Sequence, residues 1–109
     1  NIMPAIVIET MRYIETHLTD KITLSDIAEK LNYSSNYLSK QFKIHTGLTL
    51  REYIFDKKIE AAKSALQEGM SVSNACTTAG FNDYANFIRS FTKKTGISPG
   101  RYRAEHFGL

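Results

Sequence analysis

The sequence contains no tryptophan, one cysteine, two prolines and six glycines among its 109 residues. A single cysteine excludes an internal disulfide and a cysteine-rich zinc site, and it fits a reducing compartment. So few prolines and glycines do not supply the tight turns of a many-stranded sandwich or barrel, and no hairpin dipeptide sits between alternating β-branched residues. No apolar run approaches the ~20 residues that a membrane helix needs, and the start lacks the basic-then-apolar pattern of a signal peptide. His17, His45 and His106 lie far apart, with no His or Cys at metal-ligand spacing, so surface or capping roles are expected and neither metal nor cofactor is implied. Gly-rich phosphate loops and nucleophile elbows are missing as well. Asp56 and Glu60 stand one helical turn apart but among Lys57, Lys58 and Lys63, which is the pattern of surface ion pairing rather than of a catalytic dyad. An enzyme is therefore not expected.

What the chain does have is ordinary globular composition, 42% hydrophobic and 23% charged, with six Tyr and six Phe to give a core its bulk. Its length fits one compact domain. The net charge is +3, unevenly spread. Up to Tyr33 there are three cations against five acids; from Ser34 onward there are eleven against six. A basic body behind a slightly acidic start suits a polyanion-facing surface, although charge alone is equally compatible with solvated helix faces.

Helical periodicity dominates. Val7, Met11, Ile14 and Leu18 share one face, and Pro4 suits the first turn of their helix. Thr23 and Asp26 have capping-box spacing, with Ile22 placed to staple onto Ile27; Thr49 and Glu52 repeat the box ahead of a long helix that Gly69 stops after Glu68. That helix is expected to bury Leu50, Tyr53, Ile54, Ala61, Ala62, Ala65 and Leu66. Ser98-Pro99 reads as a cap followed by proline at the first helical position.

An internal repeat organises these elements. TLSDIAEKLNY at 23–33 matches SVSNACTTAGF at 71–81 at an offset of 48. After a one-residue insertion the offset becomes 49, pairing Leu38 with Phe87, Lys40 with Arg89, Phe42 with Phe91, Thr46 with Thr95, Gly47 with Gly96 and Tyr53 with Tyr102. Two repeats are too few for a solenoid and each is small for a core of its own, so they read as paired modules joined by a helix. The expectation is an all-α fold of about seven helices, with helix-turn-helix modules at 5–47 and 71–105 and a linker helix at 49–68.

In the first module Ile27, Ala28 and Leu31 face inward, the turn is Asn32-Tyr33-Ser34, and Ser34 caps a second helix held by Leu38 and Phe42 with Tyr37 beside them. In the second, Gly80 makes the turn, Phe81 plugs the core, Asp83 or Asn82 caps, and Phe87 and Phe91 face inward. The aromatics Tyr37, Phe42, Phe87 and Phe91 are assigned to packing, and Cys76 to an inert core position. The outer face of one second helix then carries Ser35, Asn36, Ser39, Lys40 and Lys43, and that of the other Tyr84, Asn86, Arg89 and Lys93. Such faces have the chemistry for reading duplex DNA: a major groove admits one helix, Arg or Lys addresses guanine, and Asn pairs with adenine. A linker of about 20 residues would hold the two helices ~30 Å apart, close to the ~34 Å between successive major-groove turns on one side of B-DNA.

The sequence resembles the DNA-binding domain of the AraC/XylS family of bacterial transcription regulators over roughly residues 6–105. GFNDYANFIRSFTKKTGISPGRYR is similar to the family's second-module signature, and SSNYLSKQFKIHTGLTLREYI to the matching first-module segment. The resemblance implies a bipartite domain that puts both recognition helices into the major groove. By position, contacts fall on Ser35, Asn36, Ser39, Lys40 and Lys43, and on Tyr84, Ala85, Asn86, Arg89 and Lys93, whereas Gly80, Phe81, Phe91, Gly96, Pro99 and Tyr102 are scaffold. It also implies a cytoplasmic regulator, an activator more often than a repressor, with RNA polymerase as a further partner, no membrane contact, a monomeric isolated domain, and a sensory or dimerisation part preceding Asn1. Four positions depart from the family pattern. Ala75-Cys76 replaces Ile-Ala, which implies a looser or repacked second module; Thr92 replaces a basic residue, Lys58 an Arg, and Ala65 a Leu. The rival readings are a helical protein-interaction module and an RNA binder, the latter weakened by the lack of an exposed aromatic stacking platform.

Overall fold

Seven α-helices and no strand occur in the computed structural model, which describes residues 2–107. They are α1 (Ala5–Thr16), α2 (Leu24–Leu31), α3 (Ser35–Thr46), α4 (Leu50–Gln67), α5 (Val72–Thr78), α6 (Tyr84–Thr95) and α7 (Pro99–His106). The chain divides into two compact units, one ending at Lys57 and the other beginning at Lys58, inside α4.

The first unit is built on α1, whose buried stripe is Ile6, Val7, Thr10 and Ile14. Pro4 is the residue before the helix, not part of its first turn: its ψ of 152° is extended, and its carbonyl accepts from Val7 N–H at 3.0 Å. Thr10 is the one polar member of the stripe. Its hydroxyl donates to the Ile6 carbonyl at 2.7 Å, which removes the cost of burying it. Around α1 gather Ile27 and Ala28 of α2, Leu38 and Phe42 of α3, and Leu50 and Tyr53 of α4, with Ile22 and Leu31 partly buried against them. Phe42 meets Tyr53 edge-on at 5.3 Å, and the Tyr53 hydroxyl donates to Glu15 Oε2 at 2.8 Å, tying α4 to α1.

The second unit repeats the plan. Phe91 meets Tyr102 edge-on at 5.4 Å, and the Tyr102 hydroxyl accepts from Gln67 Nε2 at 2.7 Å. Its core comprises Ile59, Ala62, Ala65, Leu66, Ala75, Cys76, Ala79, Phe87, Phe91 and Tyr102. Arg103 closes it, donating to the carbonyls of Gly69 at 2.8 Å and Met70 at 3.0 Å, so α7 is fastened to the end of α4. Gly69 has φ +94°, and a Cβ there would run into the Phe107 ring.

Caps set every boundary that positions the recognition helices. The box at Thr49 and Glu52 is reciprocal, each N–H meeting the other's side chain at 2.9–3.0 Å. At Thr23 the hydroxyl accepts from Asp26 N–H at 3.0 Å. The buried face of α4 differs from the expected one: Ile59 is buried, whereas Ile54 and Ala61 are half-buried.

Candidate nucleic-acid interface

The repeat written in the sequence is also a repeat of hydrogen bonds. After α2 the turn passes through Asn32 in the left-handed region (φ +62°), and Tyr33 N–H returns to the Ala28 carbonyl at 2.9 Å. After α5 the same place is Gly80 (φ +95°), and Phe81 N–H returns to the Cys76 carbonyl at 3.0 Å. Asparagine and glycine are the residues that take this conformation at least cost, so the turn chemistry explains why these types stand there. Ser34 Oγ then accepts from Tyr37 N–H at 3.1 Å to start α3, and Asp83 Oδ1 accepts from Asn86 N–H at 3.0 Å to start α6. Both helices end on a left-handed glycine, Gly47 and Gly96. Just before each glycine a threonine hydroxyl bonds back to the buried Phe carbonyl: Thr46 to Phe42 at 2.7 Å, Thr95 to Phe91 at 2.8 Å.

With Leu38 and Phe42 fully buried, α3 exposes Asn36, Ser39, Lys40 and Lys43, while Ser35 is half-buried. With Phe87 and Phe91 buried, α6 exposes Tyr84, Ala85, Asn86, Arg89 and Lys93. Neither helix contains an acidic residue. Among the described residues, no partner engages Lys40, Arg89 or Lys93, so their charges face solvent. Lys43 is used differently: its ammonium donates to the Gly47 carbonyl at 3.1 Å, at the C-terminal end of α3.

Three further groups fix the turn regions. Tyr33 donates its hydroxyl to Glu9 Oε1 at 2.9 Å, and this bond, followed by burial, raises the phenol above its ordinary range. Cys76 donates weakly to the Phe81 carbonyl at 3.8 Å, and burial pushes its thiol up, as befits a structural cysteine. Lys58 lies 5.9 Å over the Phe81 ring, and burial lowers its ammonium. Ala75 and Cys76 are both buried, and in the same unit Phe81 lies 4.8 Å from Phe87. Thr92, at a departing position, turns its hydroxyl back to the Ile88 carbonyl at 2.7 Å.

One assignment changes and one residue is added. Tyr37 does not pack in the core beside Leu38; its residue is 51% exposed, on the same outer surface as Lys40. Ile44, which periodicity did not single out, is 60% exposed. The repeat carried a signal for both, because the offset of 49 pairs Tyr37 with Asn86 and Ile44 with Lys93. His17 and His106 do serve at helix ends: each stacks on the tyrosine four residues back, and each Nδ1 lies 2.8–2.9 Å from that tyrosine's carbonyl. No helix among the described residues is long and apolar enough to cross a membrane, and no three of their His, Cys, Asp or Glu side chains are grouped to hold a metal.

Two capped pairs of helices, each presenting an acid-free second helix, define the class: a tandem helix-turn-helix protein. A family model described as a helix-turn-helix domain matches residues 27–105. The HTH-type transcriptional activator AarP of Providencia stuartii is 32% identical over 105 residues, covering 95% of this chain and 78% of that protein. An HTH-type transcriptional regulator of Bacillus subtilis, YtdP, is 39% identical over 93 residues, which are 84% of this chain and 12% of that protein. Among solved structures, the C-terminal domain of AraT, a response regulator from Geobacillus stearothermophilus, superposes with a TM-score of 0.89 at 27% identity, covering 96% of this chain and 88% of that one. The chain belongs to the AraC/XylS family of transcription regulators, of which it carries the helix-turn-helix part. It spans only a fraction of the length of several relatives that it matches.

Proposed function

We propose that this chain is the sequence-specific, double-stranded DNA-binding part of a bacterial transcription regulator, working in the cytoplasm and without catalysis of its own. α3 and α6 enter successive major-groove segments. The observation that carries this reading is the pair of acid-free outer faces, set on matching scaffolds and bearing Lys40, Arg89 and Lys93 without partners among the described residues. Asn36, Ser39 and Lys40 on α3, and Tyr84, Ala85, Asn86, Arg89 and Lys93 on α6, supply base-edge contacts; Ser35 and Lys43 serve the phosphates. The likeness to a protein named as an activator supports activation, with RNA polymerase as the further partner. The direct test is selection of bound duplexes from a random library of about 25 base pairs, a length that spans two half-sites one helical turn apart. Two enriched blocks one turn apart are expected; the absence of enrichment and of salt-sensitive binding overturns the reading.

Two substitutions separate the roles. Arg89→Ala is expected to cost about 1–3 kcal/mol of binding and to relax base preference in one block, measured by repeating the selection. Unchanged affinity and an unchanged preferred sequence would remove Arg89 from the base-reading set. Lys43→Ala is expected to weaken all duplexes alike and to reduce the slope of log K against log salt by about one. An unaltered slope would mean that Lys43 does no more than cap α3.

A further inference from the structure

The two outer faces are not chemically equivalent. Tyr37, Lys40 and Ile44 follow i, i+3, i+7 spacing and so form one stripe along α3. At an offset of 49 the matching stripe on α6 is Asn86, Arg89 and Lys93. The correspondence is structural as well, since the capping bonds, the terminal glycines and the buried Phe–Tyr pairs recur at the same offset. One stripe is thus polar throughout, while the other flanks a single cation with two large apolar groups in water. Tyr37 is 51% and Ile44 60% exposed, so both leave apolar surface in water beside the cation of Lys40. Tyr37 is also held at its root: Tyr33 lies 6.4 Å from it ring to ring and is itself bonded to Glu9.

Resting on the reading of α3 and α6 as DNA-reading helices, we propose that Tyr37 and Ile44 read thymine through its 5-methyl group, so that the block addressed by α3 is thymine-bearing, whereas the matching α6 stripe of Asn86, Arg89 and Lys93 reads by hydrogen bonds. The 5-methyl is the one apolar feature that a base pair offers in the major groove, and contact with it gains the free energy of removing apolar surface from water. Lys40, between the two apolar groups, anchors the stripe to guanine.

The test uses the duplex recovered by selection, synthesised again with deoxyuridine in place of thymidine in one block at a time; this removes the methyl and leaves pairing intact. The α6 block is identified as the one whose preference relaxes in Arg89→Ala. For the native chain, uridine in the α3 block is expected to weaken binding about fourfold per contacted methyl. In the double variant Tyr37→Asn with Ile44→Lys, which copies the α6 residues onto exposed positions, that sensitivity is expected to vanish while salt-dependent binding persists. Equal affinity for thymidine and deoxyuridine duplexes, an α3 block without thymine, or retained sensitivity in the variant overturns the inference and leaves DNA binding standing. Absence of salt-sensitive binding to any duplex overturns both.

Discussion

Phe91→Ala is expected to strip the second unit of most of its stability. Phe91 is fully buried and holds two edge-on aromatic contacts, to Phe87 at 5.7 Å and to Tyr102 at 5.4 Å. Truncation removes the apolar transfer term and leaves a cavity that the rigid neighbours close only in part, a cost of about 3–5 kcal/mol. A unit that begins at Lys58 has little stability to spare, because small domains bury a smaller share of their surface and whole domains are worth only about 5–15 kcal/mol. The Thr95 hydroxyl bond to the Phe91 carbonyl is made to backbone and would not compensate. Urea unfolding followed by circular dichroism reads the effect: the variant should lose the helicity of α5–α7 well before the native midpoint. Phe91→Leu, which keeps most of the apolar volume, should lose less. A Phe91→Ala chain that unfolds at the native midpoint would show that the Phe87–Phe91–Tyr102 stack does not hold the unit together.

Features fixed by local chemistry were legible from sequence. Ser34, Ser98 and the Thr49–Glu52 pair could be read as caps, and the α6 cap narrowed to Asn82 or Asp83, because capping depends on a short polar side chain three residues ahead of an N–H, a purely local relation. Gly47 and Gly96 were legible as a repeated pair, and Gly69 as the stop of α4. What escaped was decided by neighbours distant in the chain. Tyr37 looks like a core aromatic when only Leu38 and Phe42 are considered, yet the core is already filled from α1, α2 and α4. Ile59 escaped because the residues that α4 buries toward its start, Leu50 and Tyr53, and those it buries later, Ile59, Ala62, Ala65 and Leu66, do not share one stripe. The clamp of Arg103 on the Gly69 and Met70 carbonyls spans more than thirty positions and leaves no local mark. The exposure of Asn36, Ser39, Lys40, Lys43, Asn86, Arg89 and Lys93 was legible, since an amphipathic helix whose inward side is settled by two Phe or Leu residues has much of its outward side settled too, whereas Tyr37 and Ile44 on the same surface of α3 were missed.

The share that α4 takes in both units makes Ala62→Pro the second large perturbation. Proline there removes an N–H from the middle of an eighteen-residue helix, and its ring collides with the carbonyl four residues back, that of Lys58, at a cost of about 3 kcal/mol or more. Ala62 is fully buried, so the added ring atoms also overpack the core, which adds roughly 1–3 kcal/mol. The damage should be unequal. Leu50 and Tyr53, the α4 residues on which the first unit depends, precede the break, and so does the capping box at Thr49 and Glu52. Ile59, Ala65 and Leu66 flank it and line the second core. The expected chain therefore keeps the first unit and loses the second, which duplex selection would report as a single enriched block, that of α3, bound with a shallower salt dependence. A variant with native stability and a two-block site would show that α4 is not needed as a continuous helix. A variant that loses both blocks together would show that the first unit draws on the second for its stability, despite a core and a cap of its own.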